Sequence, residues 1–206
     1  EEVRARVRVG DSVIMLAESQ VLADGAMSSK TMDDRASVAA MLVAAEELKR
    51  MKVDKQVFFV ASSQEEVGSY GAEVAAFGAD PDWAIAIDVT HGEGPGTEKF
   101  EAHPLDKITI ERGPLIHRAL GRRMEEVARE RRILYEISAG GGMTWTDADN
   151  IQTVRGGIPT VLLSIPLRYM HTTVETLRLD VIRDAGRLMA LTIADMAEGW
   201  EDFQWS

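Results

Sequence analysis

Gln56-Val-Phe-Phe-Val-Ala-Ser62, then Ser63-Gln-Glu-Glu-Val-Gly68, then Trp83-Ala-Ile-Ala-Ile-Asp88 are the segments from which the organisation of this chain is read. The first and last are apolar runs of strand length, and Tyr70–Phe77 between them reads as a helix. Strand, helix, strand is the unit of a parallel sheet, and runs without polar alternation suit strands covered on both faces. The same alternation continues outward. Strand Lys107–Glu111, helix Leu115–Arg131, strand Leu134–Ile137, a short helix near Asp147–Val154, strand Pro159–Ile165 and a last helix near Val181–Met196 follow in turn. The expected fold is α/β: a mostly parallel central sheet flanked by helices, with ligands beyond the carboxyl ends of its strands.

Towards the amino terminus a helix is expected from about Asp34 to Met51, with Val38, Met41, Leu42, Ala45 and Leu48 as its apolar face. Ala23–Lys30 is polar and turn-rich and suits a domain crossover. Val3–Val9 and Ser12–Leu16 alternate as strands do, and Gly10-Asp11 between them is a hairpin turn pair. The opening Glu1-Glu-Val-Arg carries no initiator Met and no leader pattern, and reads as the interior of a longer chain.

Composition narrows the function. The 206 residues hold 34 Asp and Glu against 23 Lys and Arg, a net charge of -11. That charge repels phosphate backbones and anionic lipid, so no nucleic-acid or membrane partner is expected. The longest apolar runs fall far short of the roughly 20 residues of a membrane-spanning helix. With no cysteine, any metal must be held by Asp, Glu and His, and a reducing cytoplasm is the compartment that suits the chain.

Chemistry-bearing residues follow strands or close loops: Asp33-Asp34-Arg35, Glu65-Glu66, Asp88 and His171. Singly, each has a plain explanation. Two adjacent glutamates are usually a solvated loop, Asp33-Asp34 suits a helix start, Asp88 a turn, and a loop histidine the surface. Together they form an oxygen-plus-nitrogen donor set suited to zinc, cobalt or manganese at one edge of a sheet. His91, His103 and His117 lack such a context and are given no ligand role.

The stretches Met32-Asp-Asp-Arg35, Gln64-Glu-Glu-Val-Gly68, Ile87-Asp-Val-Thr90, Thr146-Asp-Ala148, Gly157-Ile-Pro-Thr160 and Ser164-Ile-Pro-Leu-Arg-Tyr-Met-His171 resemble the glutamyl and tetrahedral aminopeptidases, also called cellulase M, among the dinuclear metallopeptidases. The resemblance covers essentially the whole chain and implies a zinc-exopeptidase-like catalytic domain over 30–206, preceded at 1–29 by the end of a β insert domain used for dimerisation. It implies that Asp33 bridges two divalent ions, zinc or cobalt, that Glu66 and His171 bind one and Asp88 the other, and that Glu65 is the general base. It also implies a cis peptide between Asp33 and Asp34, with Asp34 holding that turn and Arg35 anchoring it. Thr146 and Asp147 would lie behind the ligands or in the pocket, unless they only cap a helix, and Arg168 and Tyr169 are pocket candidates. The family's remaining ligand, a His two residues before an Asp, lies in an N-terminal segment without counterpart here, so the Asp88 metal site would be incomplete. The implied partners are a peptide substrate and further copies of the chain in a dimer-based oligomer. Two other readings stay open: a related amide or glycan hydrolase, and a catalytically inactive fragment acting in assembly.

Overall fold

The structure is a computed structural model and describes residues 1–97, 102–199 and 203. Its centre is a four-stranded sheet in the order β3-β6-β4-β5, formed by β3 (Ala84–His91), β4 (Ile108–Arg112), β5 (Tyr135–Ala139) and β6 (Thr160–Leu167). β3 runs parallel to β6 from Ala84 opposite Thr160 to His91 opposite Leu167, and β4 runs parallel to β5. β6 and β4 are antiparallel. The sheet is thus mixed and mostly parallel. Every residue of β6 is buried, as expected of a strand with neighbours at both edges and helices over both faces.

One helical layer holds α2 (Met32–Met51), α4 (Arg118–Glu130) and α6 (Leu179–Gly199), with α6 packed against the other two. The other holds α3 (Tyr70–Ala79) and the short α5 (Asp147–Ile151). Arg123 joins α4 to α6 through a two-pronged contact with Asp195, its Nε lying 2.6 Å from Oδ2. The regular elements expected from Asp34 onward all appear within a few residues of their expected ends, except one.

That exception is Gln56–Ser62. It has no regular structure and pairs with no strand among the described residues, and Phe58, Phe59 and Val60 are 51%, 42% and 43% exposed. Its apolar pattern fits a strand, but a ladder needs a neighbour, and none of the described strands lies alongside.

The N-terminal hairpin is likewise absent. Glu2–Arg6 forms a one-turn helix, α1, with an exposed Arg6–Glu2 pair at 3.6 Å, and Ser12–Leu16 has no regular structure. Alternating residues favour a strand only against a partner, whereas a helical turn closes its own hydrogen bonds. Only the turn survives, with Asp11 N–H donating to Arg8 O and Arg8 N–H to the Asp11 carboxylate. The expected crossover at Ala23–Lys30 contains a strand, β2 (Ala26–Ser29), between β1 (Gln20–Val21) and β7 (Glu175–Arg178) in a small antiparallel sheet. β7 has no counterpart in the sequence reading. Its Glu and Thr look like surface residues, yet Glu175, Thr176 and Leu177 are buried.

α2 buries only part of the expected face: Leu48 is buried and Met41 packs partly buried against the core. Ala36, Ala40, Ala44 and Leu48 are buried, while Val38 and Leu42 are 38% and 65% exposed. Small residues win here because α6 approaches closely at Gly186, where an added Cβ would lie 2.4 Å from Ala40 O and 2.6 Å from Val43 Cβ. Backbone cannot yield as a side chain tip does. Gly186→Ala is therefore expected to destabilise the chain by about 1–3 kcal/mol or more, read as a lower urea midpoint with unchanged slope; an unchanged midpoint would refute the close-approach account.

Candidate metal centre

α2 and the loops after Gln56–Ser62 and β6 meet at one edge of the molecule. The Asp33–Asp34 peptide is cis, and helical backbone begins only after Asp34, whose Oδ1 accepts from Ser37 N–H at 3.0 Å. Asp34 thus serves as a helix cap while Asp33 is held out of the helix. Arg35 donates to Thr31 Oγ1 just before the turn.

Glu65 and Glu66 open a single 3-10 turn, Glu65–Val67, whose Gly68 N–H donates to Glu65 O at 3.0 Å. Three contacts fix this loop. Ser69 N–H reaches back to Gln64 O at 2.9 Å, Gly71 N–H to Ser63 O at 2.9 Å, and Asn150 Nδ2 donates to Gly68 O at 3.0 Å. Below it, Ser62 Oγ donates to Asp147 Oδ2 at 2.5 Å.

His171 lies past the end of β6. Its Nε2 is 3.0 Å from Asp33 Oδ2 and 3.5 Å from Glu66 Oε2, and one donor atom from each of the three residues lies within 4.8 Å of the others. Ligands about 2.1 Å from a tetrahedral zinc stand roughly 3.4 Å apart, so two oxygens and an imidazole nitrogen at these separations fit a divalent ion. Asp33 is largely buried, whereas Glu66 and His171 are exposed, so the group is open on one side.

Asp88 sits on β3 opposite Ser164, its Oδ1 accepting from Val89 N–H at 2.7 Å. It lines the same cavity as Asp33, Glu65 and Glu66 but is not in the three-residue group. The acids raise one another. Burial, then Asp34, pushes Asp88 up to about 9; burial, then Asp147, pushes Glu65 up to about 7; burial, against the Ser37 hydrogen bonds, brings Asp34 to about 7. Asp33 is also raised, by burial and then Glu66, with His171 opposing. So many carboxylates sharing low-dielectric space is the electrostatic signature of a cation site.

Backbone geometry points to the same place. Of the eleven described non-glycine residues with positive φ, Thr31, Gln64, Ser69, Trp145, Tyr169 and His171 belong to the segments that build this edge. Such conformations persist where surroundings dictate them, and they gather at functional sites.

The remaining candidates divide. Thr146 caps α5 through Ala148 N–H, and Asp147 lines the cavity with Oδ1 buried and unpartnered. Arg168 points elsewhere, its guanidinium donating to Glu93 O, and neither Arg168 nor exposed Tyr169 lines the cavity. His117 caps α4 by accepting from Leu120 N–H.

Glu175 is the residue that the sequence reading missed. It is 2% exposed; Oε2 accepts from Asp33 N–H at 3.1 Å and Oε1 from His171 N–H at 2.7 Å. One buried carboxylate thereby ties together the two segments that carry Asp33 and His171. An acid four residues after His171 was the available signal. In Glu175→Gln one of the two N–H groups faces an NH₂ instead of an oxygen, and a buried donor left unpaired costs about 1–3 kcal/mol. The expected result is a lower thermal midpoint together with weaker metal uptake; unchanged uptake would remove Glu175 from the site.

Comparison with known proteins agrees with this geometry. Residues 1–188 match the family model of the M42 glutamyl aminopeptidases. The chain belongs to that family. It is 37% identical over 155 residues to lysyl aminopeptidase of Pyrococcus furiosus, covering 75% of this chain and 44% of that protein. The solved aminopeptidase from the archaeon Desulfurococcus kamchatkensis superposes with a TM-score of 0.82 at 33% identity, over 91% of this chain and 54% of its own. The TET1 peptidase of Pyrococcus horikoshii, described as assembling into a tetrahedron or a large octahedral shell, gives 0.71 at 29% identity, over 86% and 52%. The chain spans about half the length of these relatives. Among the described residues, no helix is long and apolar enough to cross a membrane.

Proposed function

We propose that this protein is a metal-dependent aminopeptidase that removes N-terminal residues from peptides. The observation that carries the reading is the convergence of Asp33, Glu66 and His171 within 4.8 Å, with Glu65 adjacent. In this reading Asp33, Glu66 and His171 would hold one divalent ion, zinc or cobalt, and Asp33 and Asp88 would be the residues of this chain to hold a second. A bound ion supplies Lewis acidity, polarising a peptide carbonyl and making water a better nucleophile. Glu65 accepts the proton released in the attack and passes it to the leaving amine. Burial and the neighbouring carboxylates raise Glu65, and a cation held by the adjacent residues would favour its ionised form. Glu175 holds the Asp33 and His171 backbones in place, and Asp147, through Ser62, steadies the end of the Gln56–Ser62 segment that leads to Glu65.

The domain division belongs to the same proposal. Residues 1–29 form the end of a dimerisation domain, and 30–206 part of the catalytic domain. Exposed Val13, Ile14, Met15 and Leu16 fit a homo-oligomer built from dimers, as does the shell-forming relative. The cysteine-free chain fits a cytoplasmic location.

Calorimetric titration of the 206-residue chain with zinc chloride tests the metal reading. The expected result is one tightly held ion per chain at the Asp33 group and weaker uptake at Asp88, whose other ligands from this chain are fewest. No saturable uptake would end the proposal. Aminoacyl-anilides and cellulose assayed side by side are expected to show cleavage of the anilides alone.

A further inference from the structure

Past β5 the chain runs through Gly140-Gly-Gly142 and then tightens into a cap, residues 144–149, around the start of α5. One carboxylate builds it. Asp149 accepts from Thr144 N–H at 3.0 Å, from Thr144 Oγ1 at 2.8 Å and from Trp145 N–H at 2.9 Å, while the hydroxyls of Thr144 and Thr146 meet at 2.9 Å. Residue 145 is thereby held at φ 58. A bulky side chain rarely takes that conformation, because its Cβ crowds the neighbouring carbonyl, so the surroundings impose it. The residue so placed is tryptophan, and its indole is 80% exposed. A lone exposed apolar side chain needs no explanation. This one stands on a backbone locked in a costly conformation, with Met143 beside it also more than half exposed.

The cap is fastened to the candidate metal centre at two points. Asp147, two residues after Trp145, lines the cavity with Glu65 and accepts from Ser62 Oγ at 2.5 Å; Asn150 Nδ2 donates at 3.0 Å to Gly68 O, just past the Glu65–Val67 turn. Trp145 therefore borders the centre on the side of Glu65. In the proposed reaction Glu65 hands its proton to the leaving amine, so this side receives the peptide that follows the cleaved bond. The cavity itself is acidic, whereas Val67, Tyr70, Met143 and Trp145, on the two segments flanking Glu65, are apolar and each more than half exposed. Tryptophan adds large contact area at little entropic cost, and a backbone fixed in advance lowers the cost of binding further.

We propose that Trp145 is a substrate-binding residue whose indole packs against the side chain following the cleaved bond, selecting peptides with an apolar or aromatic second residue. An acidic second residue is disfavoured by Glu65, Glu66 and Asp147. The direction of the bound peptide rests on the peptidase reading; the contact with the indole is measured separately from it.

Fluorine NMR of the 206-residue chain labelled with 5-fluorotryptophan tests the contact without catalysis. Trp145 is one of four tryptophans, and its resonance is the one missing from Trp145→Phe. The probe, acetyl-Phe-Ala-Ala-amide, has no free amino terminus and stands for the departing part of a substrate; acetyl-Asp-Ala-Ala-amide is the control. The Trp145 resonance is expected to move saturably with the first peptide and to need at least about tenfold more of the second. In zinc-loaded protein, Leu-Phe-Ala-Ala and leucinamide share the residue to be removed, so the ratio of their kcat/KM values reports the contact beyond it. Trp145→Gly, which suits a positive φ, is expected to lower that ratio by about tenfold, through KM, and Trp145→Phe to restore part of it. An unmoved Trp145 resonance, an equal response to both peptides, or an unchanged ratio in Trp145→Gly would each overturn the proposal. So would a Trp145 resonance that shifts with protein concentration in the absence of peptide, which assigns the indole to a second copy of the chain. A wild-type chain that cleaves neither substrate, while its Trp145 resonance still answers the first peptide, ends the peptidase reading and keeps Trp145 as a peptide-binding residue.

Discussion

Replacing His171 by alanine is expected to weaken zinc binding at least about 100-fold while leaving the fold intact. The imidazole is the only nitrogen donor of the three-residue group, standing 3.0 Å from Asp33 and 3.5 Å from Glu66. Without it the ion meets only two carboxylates from this group, and the loss should reach or exceed the roughly 10–100-fold seen when merely the groups behind metal ligands are removed. Stability should change little, because the imidazole is 66% exposed and the contact tying this loop to Glu175 comes from the backbone N–H of residue 171, which alanine retains. Residue 171 has φ 62, a conformation that asparagine tolerates well, so His171→Asn provides a second variant with the backbone preference met. Competition against a chromogenic chelator measures the affinity, and thermal melts of the metal-free proteins check the fold. Wild-type affinity in both variants would remove His171 from the metal centre.

The sequence showed this site more clearly than it showed the edges of the fold. Glu65, Asp88 and His171 were legible because each follows or ends an apolar run, and a parallel sheet delivers such positions to one side. The β3 and β6 runs were legible for the same reason. Glu175 was not, since a buried glutamate that accepts two backbone N–H groups looks, in sequence, like any surface acid, and β7 around it has no apolar alternation. The face of α2 was read only in part, because large apolar residues outweigh alanine in a periodicity argument. In the folded chain Ala36, Ala40 and Ala44 are what let α6 come close, Leu48 is buried with them, Met41 packs partly buried against the core, and Val38 lines the cavity. The first residues failed differently. Alternation in Val3–Val9 records a preference for a strand but carries nothing about whether a partner is present, and among the described residues none is. Gln56–Ser62 shows the same limit from the other side: its pattern fits an inner strand, and the structure places it beside an open slot.

Glu65→Gln is expected to reduce kcat for aminoacyl-anilides by about 10²–10⁴-fold, the range lost when a positioned general base is removed. Metal stoichiometry and affinity should stay at wild-type levels. The substitution removes one charge and one proton-accepting site but keeps the shape of the side chain. The loop that carries it is held by contacts that do not involve the Glu65 side chain: Gly71 N–H to Ser63 O, Ser69 N–H to Gln64 O, and Asn150 to Gly68 O. A neutral amide at this position also removes an unfavourable charge, because burial first, and then Asp147, Glu66 and Asp33, raise the pKa of Glu65, so the metal-free variant should be no less stable than wild type. A fall in kcat with KM and metal content unchanged separates this residue from Asp33, Glu66 and His171, whose loss acts first on metal uptake. Two outcomes would reassign Glu65: full activity, which leaves proton transfer to another group, or loss of metal in proportion to loss of rate, which makes it a ligand. The assay belongs on protein that cleaves anilides when zinc-loaded, where the wild-type rate supplies the reference and the only change is whether residue 65 can take a proton.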